Sequence, residues 1–245
     1  VTAYTPKCGY NILQISIPEV MVEVDDSDAL TYFNFKTKPT VIGIGPGMGV
    51  KEKTAIGFEK FLKENKLPLV IDADGINLVS QNQTLINYLP KQTVLTPHQK
   101  ELERLIGTWE NDYDKLKKAV HFSKKHSLIL VLKGAHTVVI DGDSIFFNST
   151  GNPALATAGS GDVLTGIITG LIAQGYEPRN ASILGVYLHG KTADIAIKET
   201  GYETFTSSTI LTYLSNAILD LFIEEELQDI ENEDEIDDSD NNINT

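Results

Sequence analysis

The sequence predicts an α/β fold: one three-layer α/β/α domain with a mostly parallel central sheet, followed by a disordered acidic C-terminal tail. Three observations predict it. Short apolar runs alternate with helical patterns between residues 38 and 134, the order of strands joined by crossover helices. Those runs are apolar on both faces, as strands buried under two helical layers require. Residues 223–245 hold 11 Asp or Glu and no Lys or Arg, a composition too charged and too poor in apolar side chains to join a core.

The elements follow in order. KPTVIGIG (38–45) reads as a buried strand and GFEKFLKEN (57–65) as a helix. LPLVIDAD (67–74) is a second strand, with GINLVSQ a short helix after it. QTVLTP (92–97) is a third strand, leading into the helix HQKELERLIG. DYDKLKKAVHFSKKH (112–126) is an amphipathic helix and SLILVLKG (127–134) a fourth strand. HTVVIDGDSIFFNS (136–149) alternates apolar and polar around Asp141-Gly142, the signature of a hairpin. Three helices follow: DVLTGIITGLIAQG, ASILGVYLHGKTADIAIKETG and SSTILTYLSNAILDLFIEE. Gly175 and Gly201 stand where helix C-caps belong.

Composition excludes several classes. The net charge of −14 belongs mostly to the tail; without it 23 acids face 20 bases. A nucleic-acid partner would need a basic patch, and the sequence offers none. No run reaches the roughly 18 apolar residues of a membrane helix. The single cysteine, Cys8, rules out an internal disulfide framework and a cysteine-rich zinc site, and fits a reducing, cytoplasmic location. The chain opens VTAYTP without a methionine, so a fragment or a processed product is expected.

Two glycine-dense turns carry the functional signal. GIGPGMG (43–49) ends the first strand. It fits neither G-x-G-x-x-G, because Met48 and Val50 fall where the third glycine belongs, nor a Walker A loop. It is either a plain turn or a turn in the ligand crevice at the carboxyl ends of parallel strands. NSTGNPALATAGSGDVLTG (148–166) is stronger. Gly159-Ser160-Gly161 precedes a helix expected to start near Val163, and the unpaired N–H groups of a first helical turn attract anions. Asp162 is then either an N-cap or a base that takes a proton from a hydroxyl attacking phosphorus. A carboxylate on an anion-binding turn costs repulsion, and the second role explains that cost. KGAHT (133–137) puts Lys133 at the end of the fourth strand, where it either neutralises a phosphate or is solvated. TPHQKE (96–101) reads as a helix start, with Thr96 the cap, Pro97 first and Gln99 completing a capping box; this leaves His98 without a structural task. Asp72 and Asp74 either hold a magnesium shell or cap the next helix. No metal-ligand set is assigned.

Taken together, ILQISIPEVMV, VIGIGPGMG, VIDADGINL, VLTPHQKELERL, VLKGAHTVV, NSTGNPALATAGSGDVLTGIITGLIAQG and GVYLHGKTADIA resemble the ribokinase-like superfamily. In detail they are similar to its NAD(P)H-hydrate dehydratase branch, the carbohydrate-kinase-related domain often fused to an epimerase. The resemblance covers most of residues 10–198. It implies dehydration of the S epimer of hydrated NADH or NADPH: ADP or ATP, with Mg2+, phosphorylates the ring hydroxyl, and phosphate then leaves. It implies Asp162 as the catalytic base, also touching substrate, and an anion hole from Gly159, Ser160 and Gly161. Nucleotide is expected along Lys133, Gly134, Ala135, His136 and Thr137, and at Gly161; substrate is expected at Gly47, Gly49, His98 and Glu101. It further implies a functional link to NAD(P)H-hydrate epimerase and admits a homo-oligomer. The family's domain begins some 40 to 50 residues earlier, so residues 1–222 are expected to lack its first strand and helix and to be poorly active or unstable alone. The rival readings are a ribokinase-like kinase for a vitamin precursor and a nucleotide-binding module without turnover.

Overall fold

The computed structural model of the chain describes residues 1–222; the acidic tail expected at 223–245 lies outside the described residues. The chain divides into two compact units. The first comprises Val1–Ser149 and Gly161–Val186, the second Thr150–Ser160 and the chain from Tyr187 onward.

In the first unit, β1 (Thr2–Pro6), α1 (Tyr10–Ser16) and β2 (Met21–Asp25) form a small βαβ with parallel strands, Thr2 opposite Met21. The main sheet has six strands in chain order: β3 (Ile42–Ile44), β4 (Leu69–Ile71), β5 (Val94–Leu95), β6 (Ile129–Leu132), β7 (Val138–Asp141) and β8 (Ser144–Phe147). The first four are parallel; β7 and β8 each run antiparallel to the strand before. The expected hairpin forms, its turn at Gly142-Asp143, one residue beyond Asp141-Gly142, with Gly142 at φ 58°.

Side chains alternate across a strand, and that alternation builds two cores. Ile71, Leu95, Leu130 and Ile140 face one, with Phe58, Leu62, Ile76, Leu102 and Phe122 from α2 (Glu52–Glu64), α3 (Ala73–Gln81), α4 (Gln99–Ile106) and α5 (Asp112–His126). Val70, Val94, Ile129, Val131 and Val139 face the other, covered by Leu164, Ile168 and Ile172 of α6 (Ser160–Ala173) and by Ala181 and Val186 of α7 (Pro178–Thr200). The three α/β/α layers are therefore those read from the sequence. A further helical segment covers 207–222.

Two boundaries differ from expectation. α2 begins at Glu52, well before Gly57, because Gly57 is a packing glycine inside the helix: a side chain there would lie 2.2 Å from the Thr31 carbonyl oxygen. α6 begins at Ser160, three residues before Val163, so Asp162 lies within the first turn and is not its N-cap.

The connection after β2 is organised by one buried carboxylate. Asp25 accepts from Ser27 N and Oγ, from Thr31 N and Oγ1, and from Tyr32 N, at 2.6–3.1 Å. Burial works against its charge, but these donors outweigh it and hold the carboxyl well below the usual range. Its folded pKa is depressed, so its contribution is present above about pH 4 and is lost as pH falls through the folded value. Asp25→Ala is expected to cost about 2 kcal/mol by orphaning the Thr31 and Tyr32 amides. Urea unfolding at pH 7 measures this, and the deficit should shrink in acid.

Candidate active site

In the first unit the carboxyl ends of β3, β4 and β6 place the residues that matter. After Ile44 the chain turns through Gly45, Gly47 and Gly49, all with positive φ. Gly45 is the glycine that sterics demand: a side chain there would lie 1.9 Å from the Asp72 carbonyl oxygen. Gly47 and Gly49 face open space. The Gly49 amide donates to Asp74 Oδ2 at 2.9 Å, which fixes the turn against the start of α3.

Asp72 occupies the N-cap of α3, but its side chain does no capping. It is 1% exposed, and its Oδ1 lies 2.7 Å from Lys133 Nζ. Its Oδ2 accepts from Thr165 Oγ1 of α6 at 2.9 Å. Neither role offered for Asp72 by the sequence describes this, and Lys133 is not a solvated lysine. Gly161 closes over the pair: a side chain there would come within 3.2 Å of Lys133 Nζ and 3.6 Å of Asp72 Oδ2. Asp162 stands beside them, exposed. Partial burial raises its carboxyl above the ordinary Asp value; Asp72 adds to the rise and Lys133 opposes it. A cavity of about 970 Å3 reaches Asp162 and Thr165 from Gly45, Met48, Phe33 and β1.

The helix start at 96–101 is displaced from the expected one. His98, not Thr96, caps α4: its Nδ1 accepts from Lys100 N at 3.1 Å and Glu101 N at 3.4 Å. Glu101, not Gln99, completes the box, accepting from His98 N at 2.9 Å. This arrangement leaves Nδ1 as acceptor and Nε2 as the N–H, 3.3 Å from Glu101 Oε1. Gly134, Ala135 and His136 are exposed in the tight link from β6 to β7, where Thr137 Oγ1 donates back to the Gly134 carbonyl.

In the second unit, Asn152 Oδ1 caps a 3-10 turn at Pro153–Leu155. Gly159 has φ 83°, and a side chain on it would lie 3.0 Å from Ser207 Oγ. The Ser160 amide, expected to be open to an anion, donates to the Thr157 carbonyl at 3.3 Å. Ser160 Oγ lies 3.1 Å from His189 Nε2 of α7, a contact between residues 29 apart in the chain that no local pattern announces. A cavity of about 610 Å3 is lined by Pro153, Ala156, Thr157, Tyr202, Glu203 and Phe205.

Residues 1–216 match the protein-family model described as NAD(P)H-hydrate dehydratase. The chain belongs to the NAD(P)H-hydrate dehydratase family. It is 36% identical over 223 residues to the bifunctional NAD(P)H-hydrate repair enzyme Nnr of Moorella thermoacetica, covering 89% of this chain and 42% of that one. It is 38% identical over 189 residues to the ADP-dependent (S)-NAD(P)H-hydrate dehydratase of Neisseria meningitidis, covering 74% of this chain and 62% of that one. The ADP/ATP-dependent NAD(P)H-hydrate dehydratase of Bacillus subtilis, co-crystallised with ATP/Mg2+ and soaked with CoA, superposes with a TM-score of 0.71 at 25% identity, covering 88% of this chain and 79% of that one. The chain thus spans less than half the length of its bifunctional relative. Among the described residues no helix is long and apolar enough to cross a membrane, and no group of three or more His, Cys, Asp or Glu is placed to hold a metal ion.

Proposed function

We propose that this dehydratase-family chain repairs the S epimer of hydrated NADH or NADPH at the expense of ADP or ATP. The observation that carries the reading is the cluster of Asp162, Asp72, Lys133 and Gly161 at the first turn of α6. Asp162 accepts the ring hydroxyl proton as the oxygen attacks the terminal phosphorus, and the phosphorus–oxygen bond to the nucleotide breaks. The ring nitrogen then supplies an electron pair, the carbon–oxygen bond breaks and inorganic phosphate leaves; the adjacent ring carbon then gives up a proton, which quenches the positive ring and restores the reduced form. Such a transfer is mostly positioning and charge stabilisation, which suits a glycine turn beside one lysine. The segment from Lys133 to Thr137 lines the nucleotide. Gly47, Gly49 and His98 line the hydrate, with Glu101 holding His98 in place.

Magnesium fits these residues as an ion carried by nucleotide phosphates. Mg2+ is commonly held by one or two carboxylates, phosphates and water, and the first unit offers the exposed Asp162 for its water shell, Asp72 being taken up by Lys133 and Thr165. When bound, it neutralises charge on the phosphates. Cytoplasmic location, a homo-oligomeric state and a functional partnership with an epimerase belong to the same proposal, the last because relatives are named bifunctional.

The test follows recovery of NADH absorbance from NADH hydrate with ADP and ATP in turn, together with release of free phosphate. Recovery with either nucleotide supports the reading. A stable phosphorylated product without dehydration would instead make the protein a kinase.

A further inference from the structure

The segment 150–160 takes its shape from α7, within the second unit. Thr150 Oγ1 donates to the Tyr187 carbonyl at 2.8 Å. Asp194 is bidentate: Oδ2 accepts from Gly151 N and Oδ1 from Asn152 Nδ2, both at 2.8 Å. Gly190 lets the segment come close, since a side chain there would lie 2.7 Å from the Thr150 backbone. At the far end, buried His189 brings Nε2 to 3.0 Å from the Ser160 carbonyl and 3.1 Å from Ser160 Oγ. A carbonyl oxygen can only accept, so the first contact is a hydrogen bond when Nε2 carries the proton. Ser160 Oγ then receives from the imidazole, and its own proton is directed elsewhere.

We infer that His189 and Asp194 are positioning residues for phosphoryl transfer. They clamp the two ends of the 150–160 run, so that Ser160, the residue at which α6 begins, is held in a fixed path. Neither touches the reacting atoms; Asp194 acts through Gly151 and Asn152, and His189 through Ser160. Small residues supply little packing of their own, so a run like NSTGNPALATAGSG needs an external template. This inference rests on the function proposed above.

The experiment compares the full chain with His189→Leu, His189→Gln and Asp194→Asn. Calorimetry gives ATP–Mg affinity, steady-state kinetics give kcat and each KM, and thermal unfolding reports folding. His189→Leu is expected to lower kcat by about tenfold or more, the scale of a displaced charge-stabilising group, with KM for the hydrate within about twofold. His189→Gln keeps an N–H near the Nε2 position and should restore most of kcat. Asp194→Asn should raise KM for nucleotide and leave that for hydrate. Wild-type kcat and nucleotide affinity in His189→Leu would overturn the inference and leave the proposed function standing. So would a Gln variant as slow as the Leu variant, or equal losses for both substrates, since a merely structural residue gives those results. A wild-type chain that neither binds nucleotide nor turns over would overturn the proposed function and this inference with it.

Discussion

Replacing Asp162 with asparagine is expected to lower turnover by roughly a hundredfold or more while nucleotide binding survives. Asparagine keeps the shape of the side chain and cannot take a proton. It also removes a negative charge from the first turn of α6, so nucleotide affinity should hold or improve. The pH profile supplies an independent check. Partial burial and the Asp72 charge raise the Asp162 carboxyl above its ordinary value. A base must be deprotonated to act, so activity rises with pH through that raised value. The acid limb of kcat/KM should therefore lie above the roughly 3.9 of a free Asp. Asp72→Asn removes the like charge and should move the limb down. Turnover unchanged in Asp162→Asn would remove this carboxylate from the mechanism.

Much of this arrangement is legible in sequence, for identifiable reasons. β4, β5 and β6 announce themselves because both faces are buried, so no polar residue interrupts the run. α5 coincides with DYDKLKKAVHFSKKH because Asn111 caps it and Ser127 ends it in the left-handed region. Local signals mislead where a residue serves something distant. Gly57 looks like a boundary but answers to the Thr31 carbonyl. His98 looks spare beside Thr96-Pro97 because imidazole is an uncommon cap. The βαβ of β1, α1 and β2 escapes because its strands are mostly half-exposed and mix polar with apolar residues, so no buried apolar run marks them. The pairing of Asp72 with Lys133 is invisible for a different reason: the residues are 61 apart in sequence and meet only because β4, β5 and β6 are consecutive in the sheet. His189 and Asp194 escape similarly, as polar positions in a helix that reads as a covering layer.

That pairing carries the second large expected effect. Lys133→Met should destabilise the chain by about 3 kcal/mol, because it strands the Asp72 carboxylate in the interior. Asp72 is 1% exposed and, among the described residues, its side chain retains only the Thr165 hydroxyl, which contributes far less than a cation at 2.7 Å. Urea unfolding at pH 7 measures the loss. Adding Asp72→Asn to Lys133→Met should recover most of the stability, because replacing both members of a buried pair is far milder than removing one. Nucleotide affinity should not return in the double variant, because the lysine assigned to the nucleotide is still missing. Stability and affinity are thus separable at this position. A Lys133→Met chain within about 1 kcal/mol of wild type would mean that Asp72 can turn to water, and that the ion pair seen here does not hold the site together. Kinetics then decide what the lysine does for catalysis: with it gone, the acid limb should move to higher pH, because the charge that opposes the rise at Asp162 has been removed.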